Sequence, residues 1–185
     1  MGERETKNED AVVLTHVIYR DPKSLGAELD DFENCQSEWL KNARDSGQFT
    51  DGLIGKLTMQ TLDDEAPPKL VVLFDQDTAR FVGFFVAYTD QCSGKPTLRV
   101  PMVNWNKKID EATEDAILDD IDDYAGANEC PNVLIHVLPF QSRLRRALDR
   151  HDAVEAGRVY KVGCYKPLRH AQVLGIDDRV VRGDK

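Results

Sequence analysis

Lys107-Lys108 and the run Arg143, Arg145, Arg146, Arg150 are where this sequence gathers groups able to hold an anion. The two lysines follow an apolar run, Leu98 to Val103, and precede a helical pattern from Asp110 to Tyr124. A strand feeding a helix N-terminus offers a phosphate orphan backbone N–H groups and the positive end of the helix dipole. Yet this junction, "VNWNKKIDEATED" over residues 103–115, has no glycine to let a backbone approach closely. Its helix opens with Asp110, Glu111, Glu114 and Asp115. Acids in a first turn offset the dipole by about 0.3–1 kcal/mol each, and Asp110 can cap, so they compete with a phosphate for the same donors. Lys107 and Lys108 can serve a phosphate as point charges. Arg143, Arg146 and Arg150 share one helix face at i, i+3 and i+7. That face reads either as a contact for an anion or acidic partner, or as a solvated face paired with nearby acids.

The other reactive residue types are scattered. His136 sits between Ile135 and Val137 in an apolar strand, as a general base or as a hydrogen-bonded structural histidine. His151-Asp152 has the composition of a base and its orienter, but neighbours on a helix do not face each other. His16 and His170 carry no partner signal, and no His/Asp/Glu set has metal-ligand spacing. Cys35, Cys92, Cys130 and Cys164 form no C-x-x-C pair and read as free, mostly buried thiols.

The elements that must position these residues follow from periodicity. "AVVLTHVIY" (11–19) reads as a first strand. A helix starts at Asp21-Pro22 and runs to about Asn42, and a shorter one spans Thr50 to Leu62. Three strands follow, "KLVVLFD" (69–75), "RFVGFFVAYTD" (80–90) and "TLRVPMVNW" (97–105). Short turns join them as an antiparallel meander, and Pro101 marks a bulge or break in pairing. The acidic helix (about 110–125) has Ile109, Ala112, Ala116, Ile117, Ile121 and Tyr124 as its apolar stripe. Its eight carboxylates and no cation between Ile109 and Tyr124 read as a solvated face or a docking surface for a basic partner. A short buried strand (133–139), a basic helix (140–152) and one or two strands (153–168) complete the pattern. The helix between strands 97–105 and 133–139 makes those two strands parallel through a right-handed crossover.

The chain of 185 residues fits one domain, 1–168, with a polar C-terminal tail, 169–185. Residues 141–185 hold 11 Lys+Arg and 6 Asp+Glu, or +5, so the first 140 residues carry −9 − 5 = −14. An acidic body argues against broad nucleic-acid binding. With no membrane span and no signal-peptide pattern, the expected location is the cytoplasm.

The element order and the wording of "RFVGFFVAY" and "NVLIHVLP…LRRALDRHDAVEAGRVYKVGCYKPL" resemble the GCN5-related N-acetyltransferase (GNAT) superfamily over about residues 11–168. The resemblance implies an α+β (mixed α/β) fold. Its central sheet would be mostly antiparallel, with 6–7 strands and one parallel pair, flanked by about four helices. It also implies an acetyl-CoA site between the splaying strands 97–105 and 133–139. There the pyrophosphate would rest on a Q/R-x-x-G-x-G/A loop at the start of the crossover helix. This sequence has Asn104-Trp105-Asn106-Lys107-Lys108 at that place, and the loop pattern is absent. If acetyl-CoA binds, the resemblance assigns Val103, Trp105, Asn106, Lys107 and Lys108 to it. The tyrosine that many relatives use as general acid is matched by Leu148, with Asp152 and Ala153 for the following Gly-Phe. Tyr160 and Tyr165 alternate as strand packing residues do, so no catalytic residue is assigned.

The expectation is therefore a GNAT-like domain that has lost standard acetyl-CoA chemistry, needs no cofactor and works by binding a protein or in assembly. Degenerate domains of this kind serve as accessory or internal virion proteins of short-tailed phages, which would place it in a virion. One alternative is a divergent N-acetyltransferase that passes an acetyl group from acetyl-CoA to an amine. Another is an acidic decoy for a basic or nucleic-acid-binding partner.

Overall fold

Apolar residues fill almost every position of the central strands, as a sheet covered on both faces requires. The computed structural model describes residues 12–46, 68–92 and 94–153. Its sheet runs in the order β1 (Leu14–Ile18), β2 (Lys69–Asp75), β3 (Phe81–Cys92), β4 (Lys95–Trp105) and β5 (Asn132–Ile135). The first four strands are antiparallel, and β5 lies parallel to β4 from Thr97↔Asn132 to Val100↔Ile135. Helix α1 (Leu29–Asp45) covers one face, where Phe32 and Trp39 meet Leu70, Val72, Phe84 and Met102. The crossover helix α2 (Glu111–Ala127) and the following α3 (Ser142–Arg150) cover the other face over Val71, Phe85, Val100 and Val103.

Several local expectations change. The first helix is not continuous from Asp21. Asp21 caps a 3-10 turn, Pro22–Glu28, by accepting from the Lys23 N–H at 2.8 Å, and Gly26 at φ 54° breaks the spiral before α1 begins. Within the described residues the sheet has five strands. The expected helix 50–62 and the closing strands 153–168 lie outside them.

The strand expected over 133–139 pairs only as far as Ile135, because β4 bulges at the position that pairing would need. Val86 pairs with Met102 but Tyr88 with Arg99, so β4 carries one extra residue around Pro101. The His136 N–H still reaches the Val100 carbonyl at 2.9 Å, and beyond that the two strands part.

Gly83 permits the close contact of β3 with the end of β4. A Cβ there would stand 3.0 Å from the Asn104 carbonyl, 3.0 Å from Trp105 Cβ and 3.2 Å from Ile117 Cδ1.

Candidate functional site

The parting of β4 and β5 opens a cleft of about 190 Å³ beside Val103, Trp105, Lys107 and Gln141, with Glu38 and Asn42 of α1 on its far wall. A side chain spans its floor. The Gln141 amide donates to the Val103 carbonyl at 2.7 Å, and its oxygen accepts the Leu138 N–H at 2.9 Å. Gln141 is 7% exposed, so both bonds are shielded from water. Val103 and Leu138 stand on the two separating chains, and Gln141 replaces the ladder bonds lost beyond the bulge. Trp105 does not occupy the gap; it is buried in the core beneath α2.

At the strand-to-helix junction several backbone donors are already used within the chain. The Asn106 N–H donates to the Val82 carbonyl, and the Lys108 N–H to Asn106 Oδ1 at 3.1 Å. The Ile109 N–H donates to the Asn106 carbonyl. Asp110 caps α2, accepting from the Thr113 N–H at 2.9 Å and the Thr113 hydroxyl at 2.6 Å. The Thr113 hydroxyl, and then its N–H, hold the Asp110 carboxyl below its usual pKa. Lys107 is drawn away to Glu38 at 2.6 Å, whereas Lys108 stays exposed.

Arg143 lies across this junction. It donates to the Lys107 and Ile109 carbonyls at 2.9 Å each, and through Nε to Glu114 Oε1 at 2.6 Å. Glu114 is 3% exposed and receives Arg150 on its other oxygen at 3.0 Å. Arg150 also donates to Asp115 at 2.7 Å, and these carboxylates raise its pKa further. Of the basic face, Arg143 and Arg150 thus bind the acids of α2, and Arg146 stays exposed.

Glu114 and Gln141 are the site residues the sequence reading missed. Glu114 had a signal. It stands on a stripe with Ile117, Leu118, Ile121 and Ala125, at i, i+3, i+4, i+7 and i+11, where an acid among apolar residues needs a buried cation. The expected stripe had instead included Ala112, which is exposed. Gln141 had no such signal, because its role depends on where β5 ends.

His136 is buried. His151, at the end of α3, has its ring nitrogens 3.7 and 3.8 Å from Asp115 and Asp119 of α2. His16 has a partner after all, with Nδ1 3.4 Å from Asp120 Oδ1. Cys35 and Cys130 are buried free thiols. Tyr160, Tyr165, Cys164 and His170 lie outside the described residues. No metal-ligating cluster occurs among the described residues, and none of their helices is long and apolar enough to cross a membrane.

No family model and no curated protein matches the sequence. Solved structures do match. A mutant of the BH1408 protein from Bacillus halodurans aligns over 80% of this chain and 96% of its own, at 10% identity and a TM-score of 0.57. A ribosomal-protein-alanine N-acetyltransferase from Brucella melitensis biovar Abortus 2308 aligns over 80% and 97%, at 14% identity and a TM-score of 0.51. The fold is GNAT-like. A partial likeness to TTHA1254 from Thermus thermophilus covers 49% of this chain, which spans 65% of that protein's length, with a TM-score of 0.41. At these identities the likeness extends to the GNAT fold and no further. Of the parts the resemblance implied, the described residues show the meander, the crossover helix and the parting of β4 from β5. Leu148, matched to the family's tyrosine, has no proton to give and packs against the core beneath α2.

Proposed function

We propose that this GNAT-like domain has lost standard acetyl-CoA binding and acts as a binding or assembly protein, as phage accessory and internal virion proteins do. The observation that supports it is the pair of substitutes at the two places a cofactor would use. Gln141 bonds across the parted strands, and Arg143 with Glu114 closes the start of α2. Acetyl-CoA does not fit these residues. Its amides would have to displace a buried glutamine that satisfies two backbone groups. Its pyrophosphate would have to enter beside the Asp110 and Glu114 carboxylates, at a junction whose 106, 108, 109, 113 and 114 N–H groups already donate. Lys107, the cation best placed to compensate, is engaged by Glu38.

Calorimetric titration with acetyl-CoA tests this. The expected result is no binding up to about 1 mM, equivalent to about −4 kcal/mol. Micromolar binding that Lys107→Glu weakens would overturn the proposal in favour of a divergent N-acetyltransferase.

A further inference from the structure

β1 forms the outer edge of the sheet among the described residues. The Tyr19 N–H donates to the Leu70 carbonyl and the Gln76 N–H to the Val13 carbonyl, at 2.8 and 3.0 Å. In an antiparallel pair this sets residues 13, 15, 17 and 19 bonding inward to β2. Leu14, His16 and Ile18 therefore turn their backbone N–H and C=O groups outward. Natural sheets guard such an edge with lysine, proline or a bulge. Between Val13 and Tyr19 there is no lysine and no proline, and the β1–β2 register is unbroken.

The two faces beside this edge differ in chemistry. Towards α1, Val13 and Val17 are exposed at 56% and 36%. Towards α2, His16 packs against Tyr124 and reaches Asp120, and Asp123 lies close enough to act on Asp120. The second oxygen of Asp120 is buried and accepts no hydrogen bond among the described residues.

We infer that the β1 edge receives an extended basic segment of a partner protein, in which apolar residues alternate with Lys or Arg. Main-chain bonds to Leu14, His16 and Ile18 would supply affinity, as in other strand-addition complexes. The period-two alternation would lay apolar side chains beside Val13 and Val17 and cations beside Asp120 and Asp123. A second copy of this chain fits less well, because pairing β1 with β1 would bring two α2 helices, each with seven carboxylates, to one edge. The inference gives the binding role proposed above a partner class, and its test uses no acyl-CoA, so either can fail alone.

The test is fluorescence anisotropy of the full chain with a labelled nine-residue peptide alternating lysine and valine, at low salt. A glutamate–valine peptide serves as the control. The lysine peptide should bind saturably and the glutamate peptide should not. His16→Pro removes an outward donor but no bond to β2, and should weaken binding about tenfold. Asp123→Lys, on an exposed helix position, should weaken it several-fold, and added salt should do the same. If His16→Pro does not fold by circular dichroism, Asp123→Lys decides alone. Equal binding of the two peptides, no saturation by about 1 mM, or an unchanged Kd for Asp123→Lys would overturn the inference. So would a sedimenting dimer that Asp123→Lys leaves intact and whose dissociation alone admits the peptide.

Discussion

Replacing Gln141 by alanine removes both bonds that hold the parted strands and leaves the Val103 carbonyl and Leu138 N–H inside the protein without partners. A typical intramolecular hydrogen bond contributes about 1 kcal/mol net, and a buried group left unmade costs about 1–3 kcal/mol. Two such groups sum to about 2–6 kcal/mol. Because the truncated side chain leaves room for water at the cleft floor, the lower end applies, and Gln141→Ala should cost about 2–3 kcal/mol. Gln141→Leu fills the space with apolar atoms and should cost more than alanine. Gln141→Glu keeps an acceptor for Leu138 but sets an oxygen against the Val103 carbonyl, so its cost should shrink as pH falls and the carboxyl protonates. Urea unfolding gives all three from the shift in midpoint at constant slope. A cost below about 0.5 kcal/mol for Gln141→Ala would refute the bridging role, since ordinary surface substitutions fall in that range.

Further outcomes follow from the same geometry. Arg143→Ala should cost about 2–3 kcal/mol in urea unfolding, because it strips one cation from buried Glu114 and two carbonyl bonds, whereas exposed Arg146→Ala should stay within about 0.5 kcal/mol. Asp110→Ala should cost about 1 kcal/mol through loss of the α2 cap. The folded-state pKa of Asp110 is lowered, so its contribution is complete above the unfolded value and fades as pH falls through the folded one. The stability gap between wild type and Asp110→Ala, measured from pH 6 downwards, should therefore narrow only below about pH 4. Gly83→Ala should cost about 1–3 kcal/mol by overpacking against Asn104, Trp105 and Ile117, read from the thermal midpoint. Burial, and then the Glu38 carboxylate, push the Cys35 thiol up to about 12, so it should resist alkylation at pH 8 until the chain unfolds.

The meander and crossover were legible because they rest on local signals. Continuous apolar runs marked β2 and β3, short turns fixed their antiparallel order, and Pro101 announced the bulge in β4. The length of β5 was not legible. "VLIHVLP" is apolar through residue 139, and only the extra residue in β4 shows why pairing stops at Ile135. The site followed the same division. The missing glycines and the acids of the junction could be read directly, and Asp110 as a cap needed only its position. That Arg143 and Arg150 turn to α2 depends on the distance between two helices, which no spacing within either encodes. Glu114 lies between these cases: its place on the apolar stripe is visible in the sequence, but that its carboxylate faces buried cations rather than solvent depends on where α3 lies.

The most direct test of the proposed loss of acetyl-CoA binding is a chemical-shift titration of the uniformly 15N-labelled full chain with coenzyme A, following the Gln141 side-chain amide and the backbone amides of residues 103–113. If Gln141 and the Arg143–Glu114 pair fill the cofactor's place, these signals stay fixed to millimolar ligand, and the Gln141 amide protons stay protected from exchange. Saturable movement of the residue 107–113 amides, with the Gln141 protons released to solvent, would contradict it.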